Sequence, residues 1–111
     1  MSIPVALEEL AATLAGYPWG YLVTVGDDLR AHSLAVPTQW RDGALIMDAG
    51  RSTRANVAAR PDVTMVFPHP RPGEYSLIVD GRAAEQVDAT GRSLVVFTPS
   101  QAVLHRPALP G

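Results

Sequence analysis

The stretch Met47-Asp48-Ala49-Gly50-Arg51-Ser52-Thr53-Arg54-Ala55-Asn56-Val57-Ala58-Ala59-Arg60 decides how the chain is read, because a strand-like apolar run stops there and a helix-like run begins. Ala44-Leu45-Ile46-Met47 has the composition of a short strand and Gly50 permits a tight turn. Ser52 has the side chain of an N-cap, for a helix that Pro61 ends at Arg60. The first backbone N–H groups of such a helix have no internal partner. With the helix dipole and the guanidinium groups of Arg51 and Arg54 they form an anion site, and a phosphate ester of about −1.5 to −2 charges suits it. Between Ala49 and Pro61 there are three arginines and no acid, in a chain of net charge −2, so the positive charge is local. The alternative at this point is an ordinary capped surface helix with solvated arginines.

Size and composition narrow the possibilities. A chain of 111 residues reads as one domain, 1–111, and at this size roughly two-thirds of the unfolded surface can be buried on folding. Hydrophobic residues make up 47% and charged residues 18%, which is a globular composition, and no segment approaches the roughly 20 apolar residues of a membrane span. Without cysteine there is no disulfide framework, thiolate metal site or thiol nucleophile. Met1-Ser2-Ile3-Pro4 carries no basic region ahead of an apolar one, so no signal peptide and a cytoplasmic setting are expected. All nine basic residues are arginine, and the net charge of −2 with only 6% aromatics argues against general nucleic-acid binding.

From the central stretch outward, the periodicity alternates between strand and turn. Leu7, Leu10, Ala11 and Leu14 recur at helical spacing, with Glu8 and Glu9 near the start and Gly16 after the end, which predicts an amphipathic first helix. After Pro18, residues 19–25 are β-rich, and Gly26-Asp27-Asp28 turns the chain into a second strand at 30–36. Arg41-Asp42-Gly43 makes a hairpin turn into the third strand at 44–47. Residues 62–67 form a fourth strand, ended by Pro68-His69-Pro70-Arg71-Pro72-Gly73. A fifth follows at 74–85, with a bulge or bend at Asp80-Gly81. After the Asp88-Ala89-Thr90-Gly91 turn comes a sixth at 93–97, and Pro99 separates it from a last short piece at 102–105. Six short strands and two helices in this order predict a mostly β protein, a small antiparallel barrel that removes its own sheet edges. Leu77-Ile78-Val79 and Leu94-Val95-Val96-Phe97 are apolar on both faces, whereas a barrel interior uses one. Burial of the second face in a two-fold homodimer is expected, with coverage by the first helix as the alternative.

With strand, turn and helix placed, the order of features resembles the flavin-binding split-barrel family related to pyridoxamine 5'-phosphate oxidase. The resemblance extends over nearly the whole chain and is most specific at Arg30-Ala31-His32-Ser33-Leu34-Ala35-Val36-Pro37 and at Ser52-Thr53-Arg54-Ala55-Asn56. It implies a six-stranded split β-barrel with FMN as cofactor. His32, Ser33, Leu34, Ala35, Val36 and Pro37 would lie along the flavin, with Met47 and Asp48 beside its ring and ribityl chain. Thr53 and Arg54 would hold its phosphate, joined by Arg51, Ser52 and Asn56. Thr53 stands where the family often has Arg, Arg54 where it often has Lys, and His32 where it often has Arg, and Arg51 can replace the missing donor. Pro37 occupies the position of a substrate-binding lysine in the oxidase, and the sequence stops short of that enzyme's C-terminal dimerisation segment. The resemblance therefore implies fold and cofactor rather than pyridoxamine 5'-phosphate oxidase activity. The expected function is an FMN-dependent oxidoreductase acting on a small molecule, with a deazaflavin-dependent reductase, a non-enzymatic flavin carrier or a cofactor-free barrel as alternatives.

Other constellations carry less. Gly50-Arg51-Ser52 lacks the second glycine of a hydrolase nucleophile elbow, and the strand order lacks the parallel sheet such an elbow needs. His32, His69 and His105 have no metal-ligand spacing, so no metal is expected. His32 and Ser33 are adjacent on a strand and point to opposite faces, which argues against a dyad. Gln39, Trp40, His105 and Arg106 are further candidates for contact with ring, substrate or a partner subunit. Substrate and electron donor are not legible in these residues.

Overall fold

Strand-forming runs dominate the chain, and the backbone of the computed structural model follows them over the described residues, 1–108. Residues 109–111 of the expected domain lie outside the described residues. Strand β1 (Ser2–Val5) and a 3-10 turn at Leu7–Glu9 lead into helix α1 (Leu10–Leu14). Then come β2 (Trp19–Val25), β3 (Ala31–Pro37), the two-residue β4 (Trp40–Arg41) and β5 (Ala44–Met47). Helix α2 (Arg51–Ala59) follows, and β6 (Asp62–Phe67), β7 (Ser76–Val87) and β8 (Ser93–His105) complete the order. Every strand pairing is antiparallel, in the order β3-β2-β6-β7-β8-β5-β4, with β1 also on β8. The protein is thus mostly β, a curled antiparallel sheet with two short helices.

Among the described residues there are eight strands, which corrects the expected six. Two strands were illegible because they are short edge pieces: β1 contains Pro4, tolerated where no ladder partner needs its missing N–H, and β4 is only Trp40–Arg41. In the other direction, the expected break at Pro99 is a bulge inside one strand. Asp80 pairs with Gln101 and Gly81 with Pro99, so Ser100 is the extra residue in β8, at the Asp80-Gly81 position where the sequence predicts an irregularity. The bulge divides β8 in function. Val95–Phe97 pair with β5, and Ala102–His105 pair with β1, while β7 runs along the opposite edge of both halves.

Alternation decides which residues fill the curl. Leu22, Met65, Phe67, Leu77, Val79, Ala83, Val95 and Phe97 face inward and are buried, and Leu10 and Leu14 of α1 join the same core. Leu7 and Ala11, expected on that helical face, are exposed: Leu7 falls in the 3-10 turn ahead of α1, and Ala11 lies on the solvent side of the short helix. Tyr17 donates its hydroxyl to the Tyr75 carbonyl at 2.7 Å, and burial, with a contribution from Glu74, raises its phenol above the ordinary tyrosine value. The β4–β5 hairpin turns through Asp42 and Gly43 at φ 51° and 82°, a turn with two left-handed residues as predicted for Asp-Gly. No helix among the described residues is long and apolar enough to cross a membrane.

The outer face carries its own apolar row. Opposed residues run Ala35, Tyr21, Val66, Ile78, Val103 and Pro4 across six strands. Tyr21 remains 38% exposed and packs edge-on against Trp19 at 5.1 Å between ring centroids.

Gly81 is required by close approach. A Cβ there would meet the Thr98 carbonyl oxygen and lie 2.6 Å from the Phe97 ring. Gly81→Ala is expected to destabilise the protein by about 1–3 kcal/mol, read as a lower denaturation midpoint with unchanged m-value. An unchanged midpoint would show that the bulge has slack.

Candidate functional site

The turn from β5 into α2 builds one wall of a cavity of about 540 Å³, lined by Leu34, Asp48, Ala49, Gly50, Arg54, Arg92 and Ser93. Leu34 comes from β3, which ends the sheet path and so leaves one backbone edge unpaired within the sheet. Arg92 and Ser93 arrive from the β7–β8 hairpin. Three parts of the chain distant in sequence therefore meet at the start of α2.

The helix begins two residues earlier than the sequence suggests. Gly50, in extended conformation (φ −72°, ψ 175°), is the N-cap, and the first helical bond runs from the Arg54 N–H to the Gly50 carbonyl at 3.0 Å. Ser52 lies inside the first turn and makes no capping bond, which corrects its expected role. The amides of Arg51, Ser52 and Thr53 precede that first bond and have no helical acceptor. Orientation of the helix is fixed from behind. Val57 is buried, Asn56 Nδ2 donates to the buried Thr24 Oγ1 at 3.1 Å, and Arg60 pairs with Asp27 at 3.1 Å.

Arg54 is held at two points. Its Nη1 donates to the Ala49 carbonyl at 2.6 Å and its Nε meets Glu85 Oε2 at 2.6 Å. The remaining N–H groups of Nη1 and Nη2 stay available for a further acceptor. Across the cavity, Arg92 forms an ion pair with Asp48. The hairpin that presents Arg92 is tied by Asp88, whose Oδ1 accepts from the Thr90 hydroxyl at 2.6 Å, the Thr90 N–H at 2.8 Å and the Arg92 N–H at 3.0 Å. These bonds, the Thr90 hydroxyl first, hold the Asp88 carboxyl below the ordinary aspartate value. The local excess of positive charge along the sequence is thus offset in space by Glu85 at Arg54 and Asp27 at Arg60, while Asp48 compensates Arg92.

No family model matches the chain. Uncharacterized proteins of Mycobacterium bovis and Mycobacterium tuberculosis are each 44% identical to it over 120 residues, covering 96% of this chain and 83% of theirs. A provisionally named pyridoxamine 5'-phosphate oxidase of Listeria innocua matches the fold with TM-score 0.73 at 17% identity, over 88% of this chain and 96% of that one. The FAD binding protein of Mycobacterium smegmatis matches with TM-score 0.67 at 18% identity, over 96% of this chain and 100% of that one. A third structure, an F420 reductase, matches with TM-score 0.65 at 21% identity, over 81% of this chain and 93% of that one. The chain belongs to the family of the two mycobacterial relatives and has the pyridoxamine 5'-phosphate oxidase-like split-barrel fold.

Within this split barrel the sequence-expected residues divide into groups. Leu34, Asp48 and Arg54 line the cavity, and Arg51, Ser52 and Thr53 flank it in the first turn of α2. Val36 and Met47 are buried in the core, whereas Ser33, Ala35 and Pro37 are exposed on the other face of β3. His32 turns toward Asp28, with Nε2 3.6 Å from its carboxylate, and Asn56 faces β2. Trp40 packs against the core and lines a separate small cavity with Leu7, Leu10, Gly43 and Pro99, His105 bonds the Ser2 hydroxyl at 3.0 Å, and the Arg106 guanidinium lies over Tyr75 at 4.5 Å. These three do not line the cavity. Glu85 and Arg92 went unnoticed in the sequence. For Glu85 the signal exists: counting every second residue from Leu77 through Val79 and Ala83 puts it on the inner face. Among the described residues no three His, Asp or Glu side chains gather as a metal site.

The Asp88 anchor has a testable pH signature. A depressed folded value means its stabilising contribution is fully present above the ordinary aspartate value of about 3.9 and is lost as pH falls through the lower folded value. Carboxyl-carbon NMR is expected to place the Asp88 midpoint below about 3.9, with the Thr90 and Arg92 amide signals moving in the same titration. A midpoint at or above that value would remove Asp88 as the brace of the hairpin.

Proposed function

We propose that this protein binds a phosphorylated flavin, FMN by preference, at the β5–α2 junction and serves as a flavin-dependent oxidoreductase on a small molecule. The observation that carries this reading is a cavity lined by Gly50 and Arg54 at the start of α2, beside first-turn amides that have no helical acceptor and next to an arginine already held in place. Such a donor set fits a phosphate. Backbone amides bring partial positive charge without side-chain entropy, and a guanidinium already fixed at two points presents its remaining N–H groups to phosphate oxygens. The Ser52 and Thr53 hydroxyls sit in the same turn.

The flavin ring would lie along β3, where the free strand edge supplies backbone N–H and C=O groups and Leu34 supplies apolar contact, with Asp48 at the cavity's other wall. When bound, such a cofactor supplies hydride or electron transfer at its central ring. The chain's own part is to hold the phosphate, orient the ring and limit water. A deazaflavin as ligand is the alternative, favoured by the likeness to the F420 reductase structure. A carrier without turnover is distinguished by mixing the loaded protein with NADH or NADPH and an acceptor.

We also assign the outer apolar row to a homodimer. Ala35, Tyr21, Val66, Ile78, Val103 and Pro4 form a continuous cross-strand surface, and a second copy would bury it with two-fold symmetry. Ile78→Arg is expected to convert a dimer to a monomer in sedimentation velocity with the fold retained by circular dichroism. A variant that sediments like the wild type would place any interface elsewhere.

Arg54→Ala tests the phosphate assignment. Loss of charge-assisted bonds is expected to weaken FMN by about 1.5–3 kcal/mol and riboflavin, which lacks the anion, by much less, in calorimetric titration. Equal weakening of both would contradict it.

A further inference from the structure

We infer that Glu85 sets the charge selectivity of the cavity, acting as a built-in competitor of the ligand's anion; this rests on the phosphate reading above. Glu85 lies on the inner face of β7, two residues beyond the buried Ala83, where the sheet leaves the core and passes beside α2. Its carboxylate sits 2.6 Å from Arg54 Nε, and the two side chains are only 44% and 29% exposed. The guanidinium is therefore already charge-compensated before any ligand arrives. Arg92 at the opposite wall is compensated in the same way by Asp48. Two arginines and two carboxylates leave the immediate surroundings of the cavity without net charge, apart from the exposed Arg51.

Two roles of Glu85 have opposite signs. As a hydrogen-bond acceptor it tethers Arg54 and spares a ligand the cost of ordering it. As a fixed negative charge beside the same guanidinium it repels a phosphate dianion a few ångströms away. Partial exposure moderates the repulsion through solvent, yet the repulsion acts only on charged ligands, whereas the tether serves any ligand that uses Arg54. The repulsive role is what Glu85 adds beyond the Ala49 carbonyl, which tethers Nη1 without charge. A cavity built this way discriminates against multiply charged anions and admits those whose remaining parts also contribute, as a flavin's ring would on β3.

Glu85→Gln separates the roles, because the amide oxygen keeps an acceptor for Nε while the charge is removed. FMN and riboflavin are titrated into wild type and E85Q, with inorganic pyrophosphate as a competitor. E85Q is expected to bind FMN about tenfold more tightly, to bind riboflavin as the wild type does, and to gain still more affinity for the more highly charged pyrophosphate, so that FMN is released at lower pyrophosphate. If FMN affinity in E85Q is unchanged or weaker while wild type still prefers FMN to riboflavin, Glu85 is only a tether and the inference is overturned with the phosphate site intact. If wild type does not prefer FMN to riboflavin, the phosphate reading fails and takes the inference with it.

Discussion

The candidate site depends on how one short helix is held. Nine residues of α2 have little stability in water by themselves, and their sequence, with one buried apolar residue, supplies a narrow hydrophobic stripe. What secures the helix is Val57 in the core, the Asn56 amide on the buried Thr24 hydroxyl, and Arg60 on Asp27 of the β2–β3 turn. The Asn56 bond carries the larger stake, since without it a buried hydroxyl loses its partner. Together these contacts fix the helix's rotation. Its first turn then faces the edge strand β3 and the β7–β8 hairpin, and Arg54 falls over the inner face of β7.

Charge compensation is the second constraint. An arginine beside a cavity is useful to an anion only if it is both oriented and available, and orientation here comes from the Ala49 carbonyl and Glu85. The Asp48–Arg92 pair links the β5–α2 turn to the hairpin tip, and Asp88 stiffens that tip through three hydrogen bonds. The free protein thus keeps its cationic groups ordered at the expense of their net charge. Under the proposed function, this arrangement suits a ligand that gains affinity from ring contacts as well as from its anion.

Much of this was legible in the chain, and the exceptions have physical causes. Period-two alternation and Asp-Gly or proline-rich turns located the long strands, because burying one face leaves a pattern that a local window detects. Strand β1 escaped because its stability comes from pairing with β8, about a hundred residues away, not from its own composition. Pro99 suggests a strand end because its missing N–H breaks a regular ladder, but opposite Gly81 a bulge absorbs it. At the site, the helix start revealed Arg54 and the free amides. Its partner Glu85 and the Arg92 that shares its cavity lie 31 and 38 positions further along and come near it only through the curl of β7 and β8. Ser52 misled because a good capping side chain need not cap when a glycine two residues earlier already turns the backbone.

The most direct measurement is a crystal structure of the protein grown with FMN. The account predicts phosphate oxygens within hydrogen-bond distance of the Ser52 and Thr53 amides and of the Arg54 guanidinium, with the ring along β3. Density for the phosphate in solvent or on another face of the barrel, with Arg54 still closed on Glu85, would contradict it.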